Sequence, residues 1–293
     1  MKKMAFFYIV AAGVLWGTSG LFVSALRPFG FTTLQMTAMR GFVAALAIPL
    51  VLLIRDRRLF RVKPKQIPIF AGIALCLFFT ASLYYEAMQR TSVSTAVVLM
   101  YTAPVLVMIY SVLFFGERLC RSKLVAVALM LVGCCLVAGI VGGLKLDALG
   151  ILFGFLSGLS YAIYNILTKV ASRNGISPLT TTAYSFVMMF VFAICICQPV
   201  GIVHAVAAAP WPSIPLLLGL SAVTFTIPYF LYTLGMKILP AGTASALGII
   251  EPMSATVFSV VFLHEKLDLF ALIGIVLILV AVFLLGQAEG KQA

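Results

Sequence analysis

Charge is scarce in this chain. Only 10% of its 293 residues are Asp, Glu, Lys or Arg, while 63% are hydrophobic. A soluble domain of this length cannot hide so much apolar surface and still present a water-compatible exterior. No polar stretch is long enough for a second, soluble domain. Histidine is nearly absent, with only His204 and His264, and the six cysteines (Cys76, Cys120, Cys134, Cys135, Cys195 and Cys197) form no CxxC pair. Zinc and redox chemistry are therefore unsupported, and neither metal nor cofactor is expected. The cysteines read as small packing residues in a reducing environment. No GxxxxGK[ST] loop is present, which removes ATP hydrolysis by that route. No Ser-His pair and no pair of deep carboxylates suggests an intramembrane enzyme, so an enzyme is not expected.

What the chain does have is a succession of apolar runs of about twenty residues, each long enough to cross a hydrocarbon core. Helices are predicted near 4–25, 32–54, 67–87, 93–115, 122–141, 148–170, 178–199, 213–236, 242–263 and 269–287. They are punctuated by Arg27-Pro28-Phe29-Gly30, Lys63-Pro64, Asn174-Gly175, Ala209-Pro210-Trp211-Pro212 and Pro240-Ala241-Gly242. The opening Met1-Lys2-Lys3-Met4-Ala5-Phe6-Phe7 has the basic and apolar character of a signal peptide. It reads as a retained first span, because the apolar run continues to about Val23 and its pattern returns later in the chain.

The net charge of +12 invites a nucleic-acid reading. The basic residues sit instead in short loops between apolar runs, so no nucleic-acid partner is expected. With ten spans both termini lie on one side. If that side is the cytoplasm of a bacterial-type plasma membrane, it holds about fifteen Lys and Arg, against about four opposite and Arg40 within a span. The densest basic run, Arg55, Arg57, Arg58, Arg61, Lys63 and Lys65, is then a cytoplasmic loop. It is also a surface that attracts anionic lipids. The stretch His204 to Pro212 carries no Lys or Arg and falls outside.

Sliding the chain over itself by about 148 residues aligns its halves without gaps. Tyr84 falls on Tyr232, Met88 on Met236, Thr95-Ala96 on Thr243-Ala244, Leu99 on Leu247, Pro104 on Pro252, Ser111 on Ser259 and Glu117 on Glu265. At a slightly shorter offset Gly13-Val14-Leu15-Trp16-Gly17 falls on Gly154-Phe155-Leu156-Ser157-Gly158. Residues 1–143 and 144–293 thus form two five-helix repeats. Five is odd, so the second repeat enters the membrane from the opposite side. Such an inverted repeat suits alternating access, because exchanging the conformations of the halves turns an inward-facing state outward.

The repeated pattern is an apolar span with a mid-span Pro, a terminal Gly-Glu-Arg-Leu (116–119) or His-Glu-Lys-Leu (264–267), then another apolar span. With Leu-Trp-Gly at 15–17 and Glu-Pro at 251–252, it resembles the EamA family of the drug/metabolite transporter superfamily. His264 departs from the Gly usual before the terminal Glu. The resemblance implies a ten-helix transporter with a central cavity between its halves, and a substrate range that includes amino-acid and metabolite exporters.

Several residues stand out. Pro104 and Pro252 predict helix kinks, either fixed packing bends or flexing bends beside the cavity. Gly13, Gly17, Gly154 and Gly158 form small-xxx-small pairs that favour close helix packing or a sliding seam. Arg40 and Glu251 are ionisable and deep in their spans. At 1.5 Å per residue they lie roughly 12 Å below the outer and roughly 14 Å above the inner boundary. In a core of about 30 Å these depths nearly coincide. Three readings compete: an ion pair, contacts to a ligand's ammonium or carboxylate group, and proton coupling through Glu251. Glu117 and Glu265 close helices at opposite faces, either as capped or salt-bridged turns with Arg118 or Lys266 or as gates. Trp16, Tyr84, Tyr101, Tyr161 and Tyr229, with Glu251, are the expected cavity contacts, since aromatic walls suit flat or cationic solutes.

The expectation is an all-α membrane protein, monomeric or homodimeric, that moves a small molecule across the plasma membrane as an exporter of amino acids or related compounds. A proton-coupled transporter of amines, vitamins or drugs is the alternative within this class. A non-transporting receptor or scaffold is the alternative outside it.

Overall fold

A computed structural model describes residues 2–55, 61–91, 93–117, 120–137, 147–197, 199–264 and 269–291. Arg57, Arg58, Arg118, Glu265 and Lys266, all singled out above, lie outside the described residues, as does the side chain of Arg55. Among the described residues there is no strand. The first part of the chain forms α1 (Lys2–Gly17), α2 (Ser19–Leu26), α3 (Thr33–Arg55), α4 (Ile67–Arg90), α5 (Val93–Met100), α6 (Ala103–Phe115) and α7 (Arg121–Val137). The second part forms α8 (Ala148–Arg173), α9 (Pro178–Ile196), α10 (Pro199–Ala208), α11 (Pro210–Ser221), α12 (Ile227–Ile238), α13 (Ala241–Leu247), α14 (Ile250–Leu263) and α15 (Leu269–Lys291). A π-helical turn, Ala222–Thr226, joins α11 to α12.

Among the described residues, eight helical stretches are long and apolar enough to cross a membrane: Lys2–Phe29, Pro64–Arg90, Thr95–Phe115, Ala148–Arg173, Pro178–Ile196, Pro210–Ile238, Ala241–Phe262 and Leu269–Ala288. The other two expected spans correspond to α3, whose apolar stretch Leu34–Leu50 is shorter, and to α7, with 17 residues. Large apolar side chains stud the outer faces of the bundle; Phe7, Leu113 and Phe283 are more than half exposed, as suits contact with lipid chains.

Four of the expected helices are not continuous. The first is interrupted at Thr18, whose hydroxyl donates to Leu15 O. The eighth carries the π-helical turn, where the hydroxyl of Thr226 donates to Ser221 O and so partners a carbonyl in the widened turn. The fourth and ninth are broken outright, between α5 and α6 and between α13 and α14. Both breaks precede the repeated prolines. Pro104 sits in the first turn of α6 and Pro252 in that of α14, where a missing N–H costs nothing. The mid-span kinks expected from sequence are thus complete breaks.

Helix packing alternates between the two parts of the chain. The most extensive contacts are α4 with α8, α7 with α15, α1 with α12, and α3 with α9. Each joins a helix from before residue 143 to one from after it. Glycines permit the closest approaches. A methyl group at Gly17 of α1 would stand 2.6 Å from Ser254 Cβ and 2.8 Å from Ala255 N in α14. One at Gly158 of α8 would stand 2.7 Å from Leu99 O in α5. Gly13 and Gly154 approach Ile250 and Leu99 in the same way. The glycine pairs therefore pack each part of the chain onto the broken span of the other.

The ends of α6 and α14 also match. Gly116 and His264 both take the left-handed conformation, at φ 66° and φ 56°, and their N–H groups donate to Ser111 O and Ser259 O. His264, where the family pattern has Gly, keeps the same helix stop.

Candidate functional site

A cavity of about 430 Å³ lies inside the bundle. Trp16, Tyr84, Tyr101, Tyr161, Tyr229 and Glu251 all line it, as do Arg40 and Pro252. Pro104 is buried but does not line it, and neither do Gly13, Gly17, Gly154, Gly158 or Glu117. Added to the expected set are Thr37, Thr80, Tyr85, Thr224 and Phe225.

The cavity floor is aromatic because α8 and α12 present tyrosine rings at helical spacing, Tyr161 with Tyr164 and Tyr229 with Tyr232, and α1 adds Trp16. The ring of Trp16 meets Tyr229 edge-on at 4.9 Å and Tyr232 at 5.3 Å. Phe225 lies 4.8 Å from Tyr229 and 4.5 Å from Phe186. Phe225 belongs to the π-helical turn, so the widened turn forms part of the cavity wall.

The polar element of the site is built where the two broken spans meet. Tyr101 directly follows α5, and its hydroxyl lies 2.9 Å from Glu251 Oε2 and 3.3 Å from Gly248 O. Gly248 occupies the break between α13 and α14, and Glu251 is in the first turn of α14. One side chain thus links the two interruptions. Helix breaks inside a membrane are tolerated where the freed backbone groups find partners or border a cavity, and both conditions hold here.

Arg40 and Glu251 border the same cavity, a proximity that their matching depths allowed but did not establish. They do not pair: among the described residues the ion pair within 4.0 Å is Arg90 with Glu86, at 3.8 Å. Arg40 Nε has no hydrogen-bond partner, while its backbone carbonyl accepts from the hydroxyl of Ser221. The direct salt bridge considered from sequence is therefore absent. Two opposite charges border one aromatic-walled space without neutralising each other by contact.

On the far side of the floor the bundle is closed by a buried polar seam that sequence reasoning missed. Asn165, fully buried, donates to Tyr161 O at 2.7 Å and accepts from the hydroxyl of Tyr232. Lys169, one turn further along α8, donates to Met236 O at 3.0 Å and to Leu239 O, binding carbonyls at the end of α12. The spacing 161, 165, 169 was visible as a polar stripe in an apolar helix. Lys169 falls at the end of the span predicted near 148–170, where a lysine by itself signals nothing.

Glu117 accepts a hydrogen bond from the N–H of Ala241 at 2.9 Å. This is a contact with a distant helix; Arg118, the expected local partner, lies outside the described residues. Among the described residues no three His, Cys, Asp or Glu side chains converge.

The model of the EamA-like transporter family matches residues 3–139 and again 148–287. A protein of Archaeoglobus fulgidus named only as an uncharacterized transporter is 34% identical over 276 residues, covering 94% of each chain. The uncharacterized transporter YwfM of Bacillus subtilis is 26% identical over 290 residues, covering 97% of this chain and 94% of its own. Protein RarD of Streptomyces exfoliatus is 24% identical over 91% of this chain and 82% of its own. A crystal structure of another protein superposes with a TM-score of 0.82 over 100% of this chain and 99% of that one. At 18% identity that likeness shows a common fold alone. The apolar helices and the family match together make this a multi-pass membrane protein, and the chain belongs to the EamA-like transporter family of the drug/metabolite transporter superfamily.

Proposed function

We propose that this protein is a secondary transporter that exports an amino acid or a related zwitterion across the plasma membrane, with both termini in the cytoplasm. Its ten spans act as two inverted five-helix repeats, residues 1–143 and 144–293. The observation that carries this reading is the cavity itself, where Arg40 and Glu251 face one aromatic space without pairing. A ligand bearing both a carboxylate and an ammonium group satisfies both charges at once. A hydrocarbon wall with few polar groups is what a small-molecule site requires.

The packing supports the inverted arrangement. Shifting each span by five exchanges the α1–α12 contact with the α8–α4 contact and returns α3–α9 and α7–α15 to themselves. The cavity also lies off centre. With alternating spans, its lining residues fall near mid-membrane or on the side away from the termini, as in an outward-open state. Outward net flow rests on the resemblance to metabolite exporters. Proton coupling through Glu251 is the second reading, favoured by a carboxyl group that borders the cavity with Tyr101 as its side-chain partner.

The test is flux from proteoliposomes preloaded with labelled aromatic, aliphatic and hydroxy amino acids and with choline-like amines. Selective efflux of amino acids is expected. Efflux of the amines alone would overturn the zwitterion. Silence from the whole panel, with and without a proton gradient, would overturn the transport reading.

A further inference from the structure

The closed end of the bundle is held by contacts that differ in kind from those around the cavity. The left-handed Gly116 stops α6 and turns the chain, leaving the carbonyl of Phe115 and the carboxylate of Glu117 beside helices of the second half. Arg173, in the last turn of α8, donates to Phe115 O at 2.9 Å, and its guanidinium lies 4.5 Å from the centre of the Phe115 ring. Glu117 Oε1 accepts from Ala241 N–H at 2.9 Å. All seven residues of α13, which Ala241 opens, are buried, and Gly248 and Glu251 follow it. The helix is pressed against α6 at Gly242, where an added methyl group would stand 2.8 Å from Met108 Cγ. The end of α6 thus grips both α8 and the segment that plugs the bundle beneath the cavity.

We propose that Glu117 and Arg173 form a latch that keeps the termini side of the cavity shut, and that opening this side requires both contacts to break. Hydrogen bonds with one charged partner are stronger than neutral ones, so the latch holds. Both lie toward the end of the bundle, with Arg173 exposed and Glu117 half-buried, so water can replace the lost partners and release is cheap. The bonds of Asn165 and Tyr232 have no such exchange available, because both residues are fully buried. The break between α13 and α14 frees α13 to move without dragging α14. The role in a transport cycle rests on the function proposed above, but the latch itself is tested without any substrate.

Ser245 of α13 is fully buried and its hydroxyl has no hydrogen-bond partner, so Ser245→Cys is a mild change. Purified protein carrying it is treated with a hydrophilic maleimide, and labelling at each cysteine is followed by mass spectrometry. The exposed Cys195 serves as a reference for reactivity and the buried Cys134 as a reference for integrity. Adding Glu117→Ala or Arg173→Ala is expected to raise the labelling rate at residue 245 by about tenfold, the effect of removing one charged hydrogen bond. Glu117→Gln, whose amide oxygen still accepts, is expected to leave it within about twofold. Unchanged labelling at residue 245 in both alanine variants would overturn the latch, whatever the flux assay gives. If Cys134 becomes reactive together with residue 245 in both, general loosening is the cause and the latch is equally overturned. Raised labelling confined to residue 245 supports the latch even if no solute in the panel moves.

Discussion

Two segments that align at the repeat offset, α5 and α13, have opposite surroundings. Every residue of α13 is buried, and Glu117 of the other half grips its first residue. In α5, Thr95 and Ala96 are buried, but Val97 to Met100 are only half-buried, and Val97 and Met100 border the cavity. Both segments are short, and both are severed from the rest of their span ahead of a proline. What differs is the partner. Ala and Gly residues let α13 sink into the bundle, whereas the bulkier Val97, Val98 and Met100 stand at the equivalents of Ser245, Ala246 and Gly248. Two similar stretches of chain thus make one closed end and one cavity wall.

The largest test of this comparison removes the close packing on which α5 rests. Gly158→Leu forces a side chain against Leu99 O and Met100 O, and is expected to cost about 1–3 kcal/mol or more, seen as a lowered melting temperature in detergent. Gly20→Leu, at a glycine with open space around it, is the control and should melt within a degree or two of the parent. Equal losses at both positions would remove the case for a tight α5–α8 contact.

Next comes the charge at the joint between the two broken spans. On the zwitterion reading proposed above, Glu251→Gln should weaken ligand binding by at least about tenfold, because an amide cannot neutralise an ammonium group. If Glu251 also carries protons, the variant loses gradient-driven accumulation but keeps exchange. Loss of thermal stability together with both activities would assign Glu251 to structure alone.

A smaller effect is expected from Tyr101→Phe, which deletes the hydroxyl linking Glu251 and Gly248 O. The loss should be about 0.5–1.5 kcal/mol in thermal unfolding. No loss at all would mean that the two breaks are held in place by packing and not by this bond. The smallest change is Pro104→Ala or Pro252→Ala. A proline in the first turn of a helix stabilises mainly by restricting the unfolded chain, so each should cost only about 0.4–1 kcal/mol. A drop of several kcal/mol for one proline but not its equivalent would show that the breaks are maintained differently in the two halves.

Much of this architecture was legible in the sequence, for reasons specific to membranes. Without water inside the bilayer, backbone groups must be satisfied within helices, so each long apolar run declares itself. The helix stop at Gly116 and an interruption near Pro104 and Pro252 follow from backbone chemistry that a sequence displays directly, but that the interruptions are full breaks, and that His264 keeps the stop of Gly116, only the structure shows. The six expected cavity residues share one space because lone polar and aromatic groups deep in apolar spans have few other places to go. The π-helical turn at Ala222–Thr226 was not legible, since no single residue type demands it. The seam of Asn165 and Lys169 was missed, because polar residues one turn apart in an apolar helix do not name the distant groups they bind.

The sequence by itself determined that this chain is helical, that it belongs in a membrane, and that it carries the same pattern twice, because hydropathy and proline act locally. Only the tertiary structure decided that Arg40 and Glu251 share a cavity without touching, that Glu117 grips a helix of the other half, and that α13 closes one end while α5 borders the open space. Those outcomes depend on which side chains meet across more than a hundred residues of chain, and the fit between distant surfaces is not written in the spacing of either one.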